Sequence, residues 1–573
     1  MHAIRTLCTG VMIVAMMVAV GWGAYRQAGR WIRPATIALS TANVGTFILL
    51  LLAIYGPLAG VGLWERIFWA TAYLWVLMAA AAIVEATVRR PAMAPVDPTL
   101  IQDKVLLSSR SSTEAAYLLA AVSDGSRARH WLVAASRPGS AHRHASVTLG
   151  FTHTGLEALD FGYRDNPSPA FVAGMKSRSA MLGDHGESAP STWEQPWRSE
   201  PVHLMVWIEA ASRAVVDAGL DGLRHLEGGD GLTFYPPQRA CAGATGRRPS
   251  EELMGFRDGI SQPWVRLVGA KEPSAAGRGG GVLNSFGELR PIAAGEFVLG
   301  MADESEAVAP LPYPPEVFDK GSYLVVRKLA QATDRDLDST SQEHGRGGTP
   351  TFTELLMGRR RDGEPLEPVG PHGGLNDFVY SADPDGLHCP MGAHVRRANP
   401  RDALGFGSLL SARHRIIRRG KVFRDDQDDP WGQGLMFLAI NARIEDQFEF
   451  IQRLWLNDGN RQRVGATADV IAGAVRRDLT PTVVQTTAGP EVYLSDPGLV
   501  RTRGGEYFFI PSRAGLEALT AMSASRPPNP VPGREHGGPD DRPDRRPSPT
   551  PDGHGGPPGP RNRDARTKRR GPS

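Results

Sequence analysis

The residues best suited to chemistry lie in the segment Cys389-Pro-Met-Gly-Ala-His394-Val-Arg396-Arg-Ala-Asn-Pro-Arg401. The glycine and alanine before His394 leave room for a bulky ligand against the backbone, and arginines bind carboxylates in a forked geometry that lysine cannot match. An imidazole beside a ring-sized group with two carboxylates indicates a histidine that ligates haem iron, with the propionates held nearby. The alternative is a buried structural histidine flanked by solvated arginines.

A second segment, Gly255-Phe-Arg-Asp258-Gly-Ile-Ser-Gln-Pro263, places an acid between two glycines in a loop that ends at proline. Together the two segments resemble the dye-decolourising (DyP-type) haem peroxidase family, in which a distal GxxDG motif precedes a proximal-histidine segment of this kind. The resemblance covers roughly residues 98–522. Further matches follow in the family's order: Gly295-Glu-Phe-Val-Leu-Gly300, Gly321-Ser-Tyr-Leu-Val-Val-Arg327, His414-Arg-Ile-Ile-Arg418-Arg-Gly, Gly434-Leu-Met-Phe437 and Gly504-Gly-Glu-Tyr-Phe-Phe509.

The resemblance implies a role for three residues. His394 becomes the proximal ligand of haem b (iron protoporphyrin IX), Asp258 the distal acid–base group and Arg418 the distal cation. Peroxide cleavage needs a group that moves a proton between the two oxygens and a positive charge that favours heterolysis. We therefore expect a partly buried Asp258 with a raised pKa. A turn-forming aspartate before Gly259 is the structural alternative.

Other side chains are candidates for binding the cofactor. Arg396 and Arg401 could hold the propionates or make structural ion pairs. Leu435 and Phe437 match the family's apolar lining of the distal face, and their spacing places both on one side of a strand, although core packing explains that spacing equally well. By the same alternation Arg418 and its neighbour Arg419 face opposite ways, so only one of them can face the haem.

An acid on the outer nitrogen of a ligating histidine makes that histidine more basic. Asp469, in Ala-Asp-Val-Ile-Ala-Gly, corresponds to the aspartate of a family segment that usually reads DPIIG, but the proline is absent here. Glu445 is the rival candidate for the same role.

Composition excludes several classes of protein. The formal net charge of +3 is small for 573 residues, so no nucleic-acid partner is expected. The three cysteines Cys8, Cys241 and Cys389 are far apart and odd in number, which argues against a disulfide framework and is compatible with a reducing compartment. No Cys/His spacing is typical of a zinc site.

Three apolar runs, at residues 7–25, about 41–63 and about 67–88, precede the catalytic part. Each is long enough to cross a bilayer as a helix, and three successive runs are not typical of a cleaved signal. Arginines between the first two runs and after the third place the N-terminus outside and the rest of the chain in the cytoplasm. With only two spans the catalytic part would lie outside. We predict a multi-pass membrane protein whose bilayer contact is residues 1–90.

The predicted fold class is α+β. Short alternating strands such as Trp131–Ala135, Val147–Phe151 and His203–Ile208, interspersed with helices, favour antiparallel sheets. The resemblance implies two ferredoxin-like halves that enclose haem. The predicted organisation is transmembrane helices at 1–90, a linker at 91–100, halves at 101–310 and 311–522, and a disordered tail at 523–573, where large hydrophobic residues vanish.

The leading functional hypothesis is a peroxidase that reduces hydrogen peroxide and oxidises phenolic or dye-like donors through a ferryl intermediate. The first alternative is a membrane-tethered haem-binding or haem-handling module with little turnover. The second is a membrane interaction protein built on an inactive peroxidase scaffold. Retention of both Asp258 and Arg418 favours the enzyme, because haem binding alone requires neither. A homo-oligomer is compatible with the sequence.

Overall fold

The structure is a computed structural model of the chain. It describes the residues 94–107, 112–136, 144–243, 251–268, 277–283, 288–331, 350–370, 374–426, 428–429, 431–474, 481–486, 489–494 and 499–525. The predicted transmembrane helices at 1–90 and most of the predicted tail at 523–573 lie outside this set. Within it, no helix combines the length and the apolar character needed to cross a bilayer.

Fourteen strands occur in the described residues, and all their pairings within sheets are antiparallel. In chain order they are β1 Glu114–Val122, β2 Ser146–Phe151, β3 Leu204–Ala210, β4 Leu232–Phe234, β5 Gln238–Cys241, β6 Val282–Leu283, β7 Leu289–Arg290, β8 Ser322–Gln331, β9 Ile417–Arg418, β10 Lys421–Arg424, β11 Gln433–Asn441, β12 Pro481–Thr486, β13 Gly489–Leu494 and β14 Val500–Ile510.

Ten of these strands form one sheet that closes on itself. Its order is β10-β5-β1-β3-β2-β14-β8-β11-β9, with β4 also on β1 and with β10 also on β11. The β10–β11 pairing completes a ring, so the described strands make a barrel. The α+β class with antiparallel strands is therefore confirmed.

The barrel consists of two groups of strands with the same internal order. In the first group β5, β1, β3 and β2 are neighbours, and in the second β14, β8, β11 and β10 are neighbours. Each group therefore places its fourth, first, third and second strands side by side, which agrees with two ferredoxin-like halves. The domain boundaries at 101–310 and 311–522 remain predictions.

Two narrow seams join the groups. Phe151 of β2 pairs with Phe509 of β14, and Cys241 of β5 pairs with Val422 of β10; each seam has one paired position. By contrast β8 pairs with β11 over the whole stretch from Tyr323 to Ala330.

Helices cover the outside of the barrel and its ends. Their bounds are Asp103–Leu106, Gly125–Ser136, His153–Ala158, Pro169–Ser177, Ser179–Leu182, Arg213–Arg224, Gly277–Gly280, Pro315–Phe318, Phe352–Met357, His394–Ala398, Leu409–Ala412, Phe448–Phe450 and Arg513–Ser525, with a π-helical segment at Ile451–Leu456.

One predicted strand is wrong. Trp131–Ala135 lies in the helix Gly125–Ser136, whose buried residues are Ala128, Trp131, Leu132 and Ala135. These positions are three or four residues apart and form one face of a helix, so the short apolar run reflects that face rather than a strand. The strands predicted at Val147–Phe151 and His203–Ile208 are confirmed within one residue or two.

The main hydrophobic core lies inside the barrel wall and beneath the helices. It contains Trp131, Tyr117, Trp207 and Phe509, each almost fully buried. Cys241 and Cys389 are both free thiols. Strands β9 and β11 of this wall carry the site residues Arg418, Leu435 and Phe437.

Candidate active site

A cavity of about 310 Å³ brings together residues from distant parts of the chain. Its lining includes His394, Asp258, Arg418, Leu435 and Phe437. These are five of the residues that the sequence predicts for the catalytic and cofactor-binding site, and they come from a helix, a loop and two strands. The volume falls in the range of small-molecule and cofactor sites.

His394 begins the short helix His394–Ala398. Its Nδ1 lies 3.1 Å from Oδ1 of Asp469, and the same oxygen accepts hydrogen bonds from the backbone amides of Ile471 and Ala472. Because a carboxylate accepts, Nδ1 carries the hydrogen and Nε2 keeps its lone pair for a ligand. Burial alone would raise the pKa of Asp469, but His394, Arg397 and the Ala472 amide together hold that pKa below its usual value.

Glu445, the rival for this role, lies elsewhere. Its Oε1 accepts hydrogen bonds from the hydroxyl of Ser168 and the backbone amide of Ala170. The structure thus pairs His394 with Asp469, although the proline of the family segment is missing here.

Arg396 and Arg397 fix the surroundings of His394. Arg396 is buried and binds Asp383 at 3.1 Å and the carbonyl of Cys389 at 2.6 Å. Its side chain is absent from the cavity lining within the described residues, so the prediction that Arg396 binds the cofactor is not supported. Arg397, which sequence reasoning left without a role, donates to the carbonyl and hydroxyl of Thr467, each at 2.9 Å. It thereby ties the histidine helix to the segment that carries Asp469.

Across the cavity, Arg418 and Asp258 form an ion pair with 3.5 Å between Nη2 and Oδ1. Arg418 ends β9, while Arg419 points away and donates to the carbonyls of Lys104, Val105 and Leu106, as the strand alternation predicts. The side chain of Asp258 is 48% exposed, so about half of it is covered by the surrounding protein. Asp258 lies on an exposed part of the loop, between Gly255 and Gly259.

Gly255 and Gly259 have φ values of +81° and +79°, a conformation that side-chain-bearing residues rarely adopt. The positive φ values explain why glycine stands on both sides of Asp258. Gln262, at the end of the same loop, places its side-chain amide against β9: Oε1 accepts from the backbone amide of Arg418, and Nε2 donates to the carbonyl of Arg418, both at 3.1 Å. Gln262 lies in the glycine-bracketed segment, but the sequence alone indicates no role for it.

Leu435 and Phe437 lie on β11 opposite Leu329 and Arg327 of β8. Both line the cavity, so the predicted common face is correct. Their predicted contact with the cofactor stays a prediction.

Three buried arginines line the cavity without a carboxylate partner in the described residues: Arg359, Arg401 and Arg415. Arg401 donates to the carbonyls of Asn376 and Phe378, and Arg359 to those of Gly363 and Leu375. Burial lowers the pKa of Arg401 to about 10.

Arg415 is the least satisfied of these guanidinium groups. Its one hydrogen bond in the described residues is from Nη1 to the carbonyl of Gly279, at 2.7 Å. Burial first, and then the charges of Arg401 and Arg418, lower the pKa of Arg415 to about 9. A buried cation with unused donors beside two more cations is suited to an anionic ligand.

Comparisons with known proteins find similarity to dye-decolorizing peroxidases. A family model described as "DyP dimeric alpha+beta barrel domain" matches residues 121–232. The chain is 27% identical over 415 residues to the multifunctional dye peroxidase DyP2 of an Amycolatopsis species, covering 65% of this chain and 81% of that protein. It is also 27% identical over 419 residues to the dye-decolorizing peroxidase msp1 of Mycetinis scorodonius, covering 66% of this chain and 77% of that protein.

These matches show that the chain is similar to DyP-type peroxidases. Solved DyP-type structures share the fold: an ancestral D-type dye decolorizing peroxidase superposes with a TM-score of 0.61 at 23% identity, covering 74% of this chain and 100% of that one. A fungal DyP-type peroxidase from Auricularia auricula-judae gives 0.60 at 20% identity, covering 75% and 100%.

The cavity residues fit the cofactor of a DyP-type enzyme. The imidazole of His394, with its free nitrogen, faces a cavity that also contains three buried guanidinium groups for which the described part of the chain provides no acid partner. An iron porphyrin requires one axial nitrogen ligand and partners for two carboxylates. His394 would supply the first, and Arg415 with Arg401 or Arg359 the second.

Proposed function

We propose that this protein is a DyP-type, haem b-dependent peroxidase that reduces hydrogen peroxide and oxidises phenolic or dye-like organic donors. The proposal rests on one observation. The same cavity is lined by His394, which is paired with Asp469, and by Arg418 and Asp258, which are paired with each other. Similarity to dye-decolorizing peroxidases over about two thirds of the chain supports the reaction class.

Bound haem would supply the iron that takes up the peroxide oxygen and stores the oxidising equivalents. On the protein side, His394 would hold the iron through Nε2, and Asp469 keeps its imidazole in the required tautomer and orientation. Arg415 supplies unused donors for a carboxylate.

Asp258 and Arg418 act on the peroxide itself. The carboxylate of Asp258 accepts the proton of one peroxide oxygen and returns it to the other, which leaves as water. Arg418 stabilises the negative charge that develops on the departing oxygen. Gln262 keeps the backbone of Arg418 in register with the loop that carries Asp258.

The test is rapid mixing of the haem-loaded protein with hydrogen peroxide, followed by absorption. We expect His394→Ala to lose the Soret band. We expect Asp258→Asn and Arg418→Ala to keep that band and to react with peroxide about 100-fold more slowly. Arg419→Ala is the matched control, because its side chain points away from the cavity, and it should react at the wild-type rate. A wild-type protein that binds haem but does not react with peroxide would instead support a haem-binding module.

We also propose that residues 1–90 anchor the catalytic part in the lipid bilayer, with the catalytic part in the cytoplasm. The three apolar runs and the arginines beside them support this. Membrane fractionation with carbonate extraction, followed by protease protection of the catalytic part in sealed vesicles, tests both points. Release by carbonate would refute the anchor, and digestion from outside would refute the orientation.

A further inference from the structure

A cluster of three potential metal ligands lies outside the cavity. One ligand atom from each of Glu367, Asp383 and His388 lies within 4.8 Å of the other two. None of these three residues is among the described residues that line the cavity. All three lie in irregular segments that precede His394 in the chain. The cluster is therefore separate from the site that would hold haem.

Glu367 is the buried member of the cluster that lacks a partner. It is 2% exposed, and both of its carboxylate oxygens are without a hydrogen-bond partner among the described residues. Nη1 of Arg396 lies 3.8 Å from its Oε1, which is too far for a hydrogen bond. Buried carboxylates normally have hydrogen bonds, a paired charge or a metal ion. The missing partner indicates that something else binds to these oxygens.

Asp383 presents one oxygen that can take a further partner. Its Oδ2 accepts hydrogen bonds from the backbone amides of His388 and Cys389, at 3.2 and 3.1 Å. The same oxygen accepts from Nη1 of Arg396 at 3.1 Å. Oδ1 accepts only from the backbone amide of Leu387, at 2.7 Å, so it keeps a free lone pair. Nδ1 of His388 lies 3.9 Å from this Oδ1.

The space between the three ligand atoms suits an ion rather than a water molecule. Zinc lies about 2.0–2.2 Å from carboxylate oxygens and imidazole nitrogens, so it can bridge ligand atoms about 4 Å apart. A water molecule needs about 2.7–3.0 Å to each partner. A gap of this size is closed to water, and oxygens that water cannot reach can still bind an ion. The side chain of His388 is 56% exposed and forms the outer side of the cluster, where an ion can enter.

Charge and ligand type indicate which ion fits. The two carboxylates face one guanidinium, that of Arg396, so one negative charge remains uncompensated. Two oxygens with one imidazole nitrogen are suited to Zn²⁺ and related transition-metal ions, whereas Ca²⁺ and Mg²⁺ prefer oxygen alone. A proton is the competing occupant, because burial raises the pKa of Glu367 to about 8.

We propose that Glu367, Asp383 and His388 bind a divalent transition-metal cation such as Zn²⁺. The cation connects the segment that carries Glu367 to the turn that carries Asp383 and His388. Asp383 in turn binds Arg396 in the histidine helix, so the site stabilises the surroundings of His394 from outside the cavity. The proposal is independent of the peroxidase reaction.

The experiment measures zinc binding directly. Full-length, haem-loaded protein is treated with EDTA, desalted and titrated calorimetrically with zinc chloride, so that His394 is already occupied by haem. We expect one tight site in the wild type. His388→Ala and Glu367→Gln should each weaken that site at least tenfold, because a direct ligand contributes no less than a partner of a ligand. His225→Ala, at an exposed histidine whose Nδ1 bonds the carbonyl of Asp221, should bind zinc as the wild type does.

His388→Ala carries the test should Glu367→Gln fail to fold, because the His388 side chain is half exposed. The melting temperature gives a second measurement: zinc should raise it in the wild type and in His225→Ala but not in His388→Ala. A wild-type protein without a tight zinc site, or His388→Ala that binds zinc as the wild type does, overturns the proposal and leaves a proton as the occupant. Displacement of zinc by an equal concentration of Ca²⁺ would overturn the proposed ligand chemistry.

Discussion

The side-chain amide of Gln262 makes both of its hydrogen bonds with the backbone of one residue, Arg418. It occupies the position that a neighbouring strand would take beside β9. These hydrogen bonds connect the loop that carries Asp258 to the strand that carries Arg418. They hold the two partners of the ion pair, which are 3.5 Å apart, close to each other.

The first prediction concerns these hydrogen bonds. Gln262→Ala should lower kcat/KM for hydrogen peroxide about tenfold while the Soret band stays, because small displacements of positioned groups cost much of their effect. Loss of two hydrogen bonds should also lower the free energy of unfolding by about 2 kcal/mol.

Gln102→Ala is the matched control for this variant. The Gln102 side chain bonds the backbone of Leu149 in both directions, but it lies at β2, away from the cavity. It should lose similar stability and keep the peroxide rate. Equal losses of rate in the two variants would mean that Gln262 contributes only stability.

A second prediction concerns Asp469. Asp469→Asn should release haem about tenfold faster, since partners of metal ligands typically contribute a factor of this order or more to metal affinity. Transfer of haem to an excess of apomyoglobin measures the rate. Glu445→Gln, at the residue that bonds Ser168 and Ala170 instead, should release haem at the wild-type rate. If the two variants exchanged these behaviours, Glu445 would be the acid that supports His394.

The third prediction separates stability from cofactor binding at Arg415. Its charge is buried beside two other cations, so Arg415→Gln should stabilise the haem-free protein by about 1 kcal/mol. The same change should weaken haem binding about tenfold, because a carboxylate partner is lost. Denaturant unfolding and haem titration measure the two effects. Arg419→Gln, at a buried arginine on the far side of β9, should leave haem binding unchanged. Unaltered haem affinity in Arg415→Gln would remove Arg415 from the site.

The fourth prediction concerns pH and stability. Burial raises the pKa of Glu296 to about 7, against the partial compensation of Arg443. The folded protein therefore binds this proton more tightly than the unfolded chain, whose carboxyl has a pKa of about 4.5. The resulting stabilisation, about 3 kcal/mol, is complete below pH 4.5 and disappears as the pH rises through 7.

Denaturant titrations at pH 5 and pH 8 test this sign. Glu296→Gln should flatten the fall in unfolding free energy between these values. Asp303→Asn removes a carboxyl whose pKa is lowered to about 2 even though burial opposes this, and whose charge is a minor cause of the raised Glu296 pKa, so it should flatten that slope only slightly. A wild-type protein that becomes more stable from pH 5 to pH 8, with Glu296→Gln parallel to it, would contradict the prediction.

Sequence reasoning found the residues whose neighbours carry strong local constraints. His394 and Asp258 sit in short segments with glycine at fixed positions, and Gly255 and Gly259 do adopt positive φ. The sequence distinguishes the roles of Arg418 and Arg419, because successive side chains of a strand point to opposite faces.

Other contacts depend on residues brought together from distant parts of the sequence. Arg396 and Arg401 look alike in the chain, yet Asp383 binds Arg396 and removes it from the cavity. Arg327 donates a hydrogen bond to Asp184, which is 143 residues away in the sequence, and no local pattern predicts this contact. The strand predicted at Trp131–Ala135 is wrong for a local reason. The apolar run is too short to distinguish a strand from one face of a helix.

The seams at Phe151–Phe509 and Cys241–Val422 have a consequence for motion. One paired position at each seam means that few main-chain hydrogen bonds oppose a hinge-like parting of the two strand groups. Side-chain contacts that cross between the halves also oppose such a parting, among them the aromatic contact of Phe171 with Tyr323, whose ring centroids are 5.0 Å apart. Parting at the two seams would leave the strand pairing within each group intact.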